Sequence, residues 1–216
     1  MPLGDAAVVV RVGDSLGKVL ATAHKLEAAR LPGVIEVAPA FASVALFLET
    51  PRPFDDFARI VQAALRRRFP AAKLDRPPRL LEVPVCYERE YGLDLDLVAQ
   101  HCRLSPNEIA RSHSGSEYRV RCIGFSPGFP YLSKLPRALA MPRRATPRTE
   151  VPAGSVAIGG TQTGIYPLPS PGGWNIIGRT PLRLFDPARE PAALLRAGDR
   201  VRFITISRAE FERWEK

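Results

Sequence analysis

The residues best suited to chemistry lie between Gly124 and Pro181. GFSPGFPYL runs from Gly124 to Leu132, and TPRTEVPAGSVAIGGTQTGIYPLPSPGGWNIIGRTP from Thr146 to Pro181. Loops this rich in Gly, Pro, Ser and Thr turn sharply, and glycine lets a ligand approach the main chain closely. Hydroxyls and amides of Ser126, Ser155, Thr161, Gln162, Thr163, Tyr166 and Ser170 suit a small polar ligand, and Phe125, Phe129, Tyr131, Tyr166 and Trp174 would wall it in. The candidate substrate-binding set is Phe125, Pro127, Gly128, Tyr131, Gly154, Ser155, Gln162, Tyr166, Ser170, Gly172, Gly173 and Trp174. The same composition also describes ordinary barrel turns over core aromatics.

Groups able to move protons are scarce here. His113, just upstream, is a candidate proton carrier or hydrogen-bond donor. It reads equally well as a histidine that finishes a helix and bonds to the backbone. Arg148, beside Pro147, is the candidate anion clamp; its plain alternative is a solvated cation. Between Glu117 and Glu150 there is no acid, while seven cations occur: Arg119, Arg121, Lys134, Arg137, Arg143, Arg144 and Arg148. From Val151 to Phe185 there is again no acid, and Arg179 and Arg183 add to the positive side. Such a stretch concentrates anions wherever it folds together. A pocket so short of acids and bases looks like half of an active site, with a partner supplying the rest.

Several familiar chemistries are not encoded. There is no G-x-x-x-x-G-K-[ST], no G-x-G-x-x-G after a strand and no H-E-x-x-H. Ala153 and Ala157 stand where a serine elbow around Ser155 would need glycines. Cys86, Cys102 and Cys122 lack metal-ligand spacing and read as buried free thiols in a reducing cytoplasm, so no metal is expected.

The elements that must position these residues follow from pattern. The 216 residues are 45% hydrophobic and 25% charged, a globular balance rather than a disordered one. No apolar run approaches the ~20 residues of a membrane span, and the first residues lack a basic n-region, so a cytoplasmic protein without a membrane partner is expected. Residues 1–80 read as β-α-β-β-α-β, a ferredoxin-like α+β unit. Its strands are Ala6–Val12, Val34–Val37, Ser43–Leu48 and Leu80–Cys86. Its helices start at a Ser15 or Asp14 cap and at Phe54, the second ending near Arg68 with Phe54, Phe57, Ile60, Val61, Ala64 and Leu65 inward. Arg76-Pro77-Pro78-Arg79 marks a boundary. Two short helices, Leu93–His101 and Pro106–Ser112, mimic a helix-turn-helix, but the turn lacks glycine and the second helix offers few base-reading side chains, so no nucleic acid is expected. Residues 81–216 make the second part, whose texture from Tyr118 onward reads as an antiparallel barrel or sandwich, with strands at Tyr118–Phe125, Gly154–Ile158, Trp174–Gly178, Leu182–Phe185 and Arg200–Ile206 and a terminal helix from Ser207.

GFSPGFPYL, the VPAGSVAIGGTQTGIYP run and SPGGWNIIGRTP together closely resemble the 5-oxoprolinase B-subunit family, also called KipI-like or allophanate hydrolase subunit 1. The resemblance covers almost the whole chain; Gly159-Gly160-Thr161 departs from its usual Ala-Gly. It implies a ferredoxin-like domain followed by a cyclophilin-like barrel. It also implies two partners, a KipA-like C subunit and a LamB/YcsF-type A subunit. With them, such proteins use ATP to open the lactam of 5-oxoproline to glutamate. The acid-poor region suits that small carboxylate substrate as well as ATP, and the expectation is phosphorylation of the lactam oxygen. Arg148 would hold the carboxylate or phosphate, His113 would transfer or orient a proton, and Gln162 and Tyr166 would position the substrate. Other members imply a sensor-kinase inhibitor or a urea carboxylase-related carboxyltransferase.

Overall fold

A computed structural model describes residues 1–67 and 78–214. It divides into two compact units, Met1–Pro78 and Arg79–Lys216. The expected helix end at Arg68, the Arg76-Pro77 part of the boundary and the last two residues of the tail lie outside the described residues.

In the first unit, β1 (Ala7–Arg11), β2 (Val34–Ala40) and β3 (Ser43–Leu48) form an antiparallel sheet in the order β1-β3-β2. Helices α1 (Leu16–Ala28) and α2 (Phe54–Arg66) belong to the same unit. Ser15 caps α1 by accepting a hydrogen bond from the Lys18 N–H at 3.4 Å. Val8, Val19, Leu26, Val44, Leu46, Phe57 and Val61 make the core. On α2 the buried stripe is Phe57, Val61 and Ala64, one helical face. Phe54 and Ile60, expected inward, flank that stripe and stay exposed.

The fourth strand of the expected β-α-β-β-α-β unit is not in this sheet. The segment is β4 (Leu80–Val85), and it pairs in parallel with β12 (Arg200–Thr205) in the second unit. Apolar, β-branched composition marks Leu80–Val85 as a strand; it carries no information about the neighbour, which backbone pairing with a segment far along the chain decides.

The second unit continues with α3 (Leu95–Cys102), α4 (Pro106–Ser114), β5 (Glu117–Ile123), β6 (Pro130–Ser133), β7 (Arg148–Val151), β8 (Ser155–Gly159), β9 (Gln162–Ile165), β10 (Ser170–Gly172) and β11 (Asn175–Arg179), then β12 and α5 (Arg208–Trp214). Seven strands form one sheet in the order β11-β8-β9-β6-β5-β12-β4; β10 and β7 make a separate ribbon. Only the β12–β4 pair among these neighbours is parallel. The sheet curls until its edges meet: Cys86, just past β4, and Arg179 of β11 exchange two backbone hydrogen bonds of 2.9 Å. The result is a mixed α/β fold around a curled sheet rather than a purely antiparallel barrel.

Strands β6, β7, β9 and β10 are three or four residues long, and all but β7 contain Gly or Pro, which hid them in the sequence. The strand expected at Leu182–Phe185 is absent; only a bridge between Phe185 and Ala193 forms there. Leu184 instead points into the core, 1% exposed, while Pro181 cannot donate to a ladder. The α3–α4 turn is closed by left-handed Arg103 (φ 57°) and by a Ser105/Glu108 capping box. Cys86 and Cys122 are buried and Cys102 half-buried, all as free thiols. Among the described residues no His/Cys/Asp/Glu cluster fit for a metal occurs, and no helix is long and apolar enough to cross a membrane.

Gly154 shows how tightly the glycine-rich segment is folded. Its φ is 80°, its N–H donates to the Tyr166 carbonyl at 2.7 Å and its carbonyl accepts from the Thr180 N–H at 2.9 Å. A side chain there would overlap the Thr180 carbonyl oxygen. Gly154→Ala is therefore expected to lose about 2–3 kcal/mol, read as a lowered midpoint in denaturant; an unchanged midpoint would mean that β8 and the Thr180 segment shift apart freely.

Candidate functional site

One cavity of about 180 Å³ gathers the residues of interest. It is lined by Phe125, Phe129, Tyr131, Arg143, Arg144, Pro147, Tyr166, Gly172, Gly173 and Trp174. Four pieces of chain build it. The β5–β6 turn and β6 bring Phe125, Phe129 and Tyr131; the run into β7 brings Arg143 to Pro147; Tyr166 follows β9; and the link from β10 to β11 brings Gly172 to Trp174. The aromatics meet edge to face. Phe129 lies 5.0 Å from Tyr131, 5.2 Å from Tyr166 and 5.6 Å from Trp174 between ring centroids. This arrangement favours ring quadrupoles and makes a stiff wall. Trp174 lies against Gly159, where a side chain would come within 2.9 Å of the indole. Phe125, 63% exposed and left-handed (φ 73°), stands over the wall, edge-on to Phe129 at 5.5 Å. Burial raises the hydroxyl pKa of Tyr131 and Tyr166, which keeps both phenols protonated and able to donate.

The polar side of the cavity rests on a residue from far upstream. Asp94, 4% exposed, precedes α3 and is anchored by its own N–H donating to the Ile176 carbonyl at 2.8 Å. Its carboxylate accepts from Arg144 Nη1 at 2.7 Å, from Arg148 Nη1 and Nη2 at 2.8 and 2.9 Å, and from the Ile176 N–H at 2.8 Å. The Arg144 N–H donates to the Gly173 carbonyl at 2.7 Å, tying the arginine segment to the Gly172–Trp174 turn. Arg143 sits 5.8 Å from the Trp174 ring centroid, within cation–π range.

Six expected site residues line the cavity: Phe125, Tyr131, Tyr166, Gly172, Gly173 and Trp174. Pro127, Gly128, Gly154, Ser155, Gln162 and Ser170 do not. Ser155 is buried within β8, and Gly128 packs on Phe185. Arg148 requires a correction: it does not line the cavity, and both its Nη atoms donate to Asp94, beside Arg144. His113 requires another. It is fully buried, stacks on Phe203 at 4.4 Å, and both ring nitrogens are occupied, Nδ1 by the Tyr87 hydroxyl at 2.7 Å and Nε2 by Thr163 Oγ1 at 2.9 Å. Thr163 donates its hydroxyl proton to the Ala157 carbonyl at 3.0 Å, so His113 Nε2–H must donate to Thr163 and Nδ1 accepts from Tyr87. Burial pushes the imidazole pKa down to about 3, which leaves it neutral. It is a core histidine.

Asp94, Arg143, Arg144 and Pro147 complete the site without having stood out in the sequence. The two arginines lie in the same basic stretch as Arg148 and are two choices among seven. Asp94 carries no local signal: it sits in a helical patch 50 residues before Arg144, and only the fold joins them.

Residues 1–195 match the family described as carboxyltransferase domain, subdomain C and D. The chain is 40% identical over 230 residues to the B subunit of 5-oxoprolinase from Bacillus subtilis (strain 168), covering 99% of this chain and 95% of that protein. It is 47% identical over 175 residues to the B subunit of 5-oxoprolinase from Escherichia coli O157:H7, covering 81% and 79% respectively. Among solved structures, that of TTHA0988 superposes with a TM-score of 0.78 at 37% identity, over 93% of this chain and 40% of the other, so this chain spans about two-fifths of that one. Urea carboxylase of Kluyveromyces lactis superposes with a TM-score of 0.76 at 19% identity, over 98% of this chain and 22% of the other, a likeness of fold alone.

Proposed function

From the premise that this chain belongs to the 5-oxoprolinase B-subunit family, we propose that it is the part of a 5-oxoprolinase that holds the lactam substrate. The complex opens the lactam of 5-oxoproline to glutamate. ATP dependence, a requirement for a KipA-like C subunit and a LamB/YcsF-type A subunit, and a cytoplasmic location are parts of the same proposal. So are the ferredoxin-like and cyclophilin-like descriptions of the two units; the first unit carries three of the four strands that its description calls for.

One observation carries the reading: an aromatic-walled cavity of about 180 Å³ with two guanidinium groups, those of Arg143 and Arg144, in its lining. An apolar cavity of about 150 Å³ holds benzene, so a five-membered ring with a carboxylate is of matching size. A nucleoside triphosphate is larger than this cavity, and the sequence has no G-x-x-x-x-G-K-[ST]. We therefore place the nucleotide outside this cavity. Within this chain the aromatic rings exclude water and stack on the ligand ring, while the phenol of Tyr166 is a hydrogen-bond donor for the lactam oxygen. His113 enters as a packing residue.

The test is ATP-dependent glutamate release from 5-oxoproline by the assembled complex, with each component omitted in turn. Release is expected to vanish without this chain. A stable complex that never turns over 5-oxoproline would reject the assigned substrate.

A further inference from the structure

The geometry points to Arg144 as the carboxylate-binding residue of the cavity, with Asp94 as the residue that positions it, so that the ligand is a small ring bearing one carboxylate. This deepens the proposed function and rests on it for the identity of the ring, but the anion chemistry stands on the side chains alone.

An arginine offers its donors along two edges of a planar group. In Arg144, Nη1 is occupied by Asp94 at 2.7 Å. The opposite edge, Nε–H with Nη2–H, is the one that meets a carboxylate with two parallel hydrogen bonds. Nε on that edge is buried, and no acceptor for it exists among the described residues. A buried donor left without a partner destabilises the protein that carries it, and a ligand carboxylate removes that cost. The neighbouring cations do not compete. Arg148 turns both Nη atoms to Asp94 and does not line the cavity, and Arg143 is exposed and lies by the Trp174 ring.

Charge agrees with the shape. One carboxylate, Asp94, faces two guanidinium groups, Arg144 and Arg148, so the cluster keeps a net positive charge that suits a ligand carboxylate. The hydrogen bond from the Arg144 N–H to Gly173, together with the Nη1–Asp94 bond, fixes the edge before the ligand arrives, which lowers the ordering cost of binding.

Arg144→Lys tests this in the assembled complex. A lysine ammonium keeps an ion pair with Asp94 but has no second edge. The KM for 5-oxoproline should rise tenfold or more while the KM for ATP stays in place, and the thermal midpoint of the variant reports whether it folds. Unchanged KM for 5-oxoproline, or equal rises in both KM values, would overturn the assignment while leaving the requirement of this chain for turnover intact. Should the complex fail to open 5-oxoproline at all, binding decides. In a Trp214→Phe background Trp174 is the sole tryptophan of the chain, and its fluorescence is titrated with 5-oxoproline, with proline and with 2-pyrrolidinone, the same lactam without a carboxyl. Quenching by either carboxylate but not by 2-pyrrolidinone, abolished by Arg144→Lys, supports the inference; equal responses to all three, or none, sink it. Asp94→Asn separates positioning from packing: it should raise the KM for 5-oxoproline, whereas a purely structural Asp94 would lower the amount of folded complex without moving that KM.

Discussion

Asp94→Ala is expected to cost about 3 kcal/mol of stability, near the lower end of what removing one partner from a buried ion pair does. The carboxylate is 3% exposed and takes four hydrogen bonds, three from guanidinium groups and one from the Ile176 N–H. Without it, two like charges face each other, and the β11 N–H loses its acceptor. The lower end applies because the Arg144 and Arg148 side chains retain 29% and 22% exposure and can turn partly to water. Asp94→Asn keeps an oxygen for Ile176 but turns an amide toward an arginine, so it should fall between. Denaturant unfolding with an unchanged slope measures the loss. A cost below about 1 kcal/mol would mean that the arginines rearrange freely, and that Asp94 holds them too loosely to position Arg144.

The second large effect lies at His113. His113→Ala should cost about 3–5 kcal/mol, the range for emptying a buried aromatic site. The ring stacks on Phe203 at 4.4 Å, lies 5.2 Å from Tyr118 and 5.8 Å from Tyr87, and its loss strips a partner from the Tyr87 hydroxyl. The groups facing it are neutral: Tyr87, Tyr118 and Thr163, with burial raising both phenols. Its folded pKa of about 3 lies below the reference 6.5, so between those values the unfolded chain binds the extra proton. Above pH 6.5 both states are neutral at this site and nothing changes. As pH falls from 6.5 toward 3, stability is lost at up to about 1.4 kcal/mol per unit from this residue. His113→Gln should flatten that part of the pH profile by up to one proton relative to the wild type. Parallel profiles for the two would show that the imidazole is protonated in place, and that the burial penalty is smaller than the packing implies.

Local pattern goes far in the first unit. The Ser15 cap, the apolar spacing of α1 and the β-branched run of β1 each state a structure within a dozen residues, and each forms. The Ser105/Glu108 box does not stand out in the sequence, although it too joins neighbours only three residues apart. Phe54 and Ile60 mark the limit: an apolar residue beside a helical stripe is buried only if something packs over that flank, and the helix alone does not say.

Composition points to the region that lines the cavity, and six of the fourteen residues it singles out are in that lining. Phe125, Tyr131, Tyr166 and Trp174 stand out because large rings among glycines must pack on a main chain without side chains, and Gly159 under Trp174 is that contact. Arg148 and Arg144 are indistinguishable in sequence. The fold separates them: Arg144 lines the cavity and gives Asp94 one Nη, whereas Arg148 lies outside the lining and gives it both. His113 looks available because histidine often does chemistry; the tertiary core closes over it and both nitrogens find hydroxyls.

By itself, then, the sequence determined what is written in short range: the helices and their caps, most strands, the acid-poor basic region, the aromatic and glycine-rich loops and, through motif order, the family. Tertiary structure alone decided that β4 pairs with β12, that Asp94 reaches across 50 residues to arrange two arginines, and that His113 is core. The reason is physical. Propensities and caps act over one or two turns of chain, whereas strand partnership, burial of a charge and the free edge of a guanidinium depend on contacts between segments that no local spacing records.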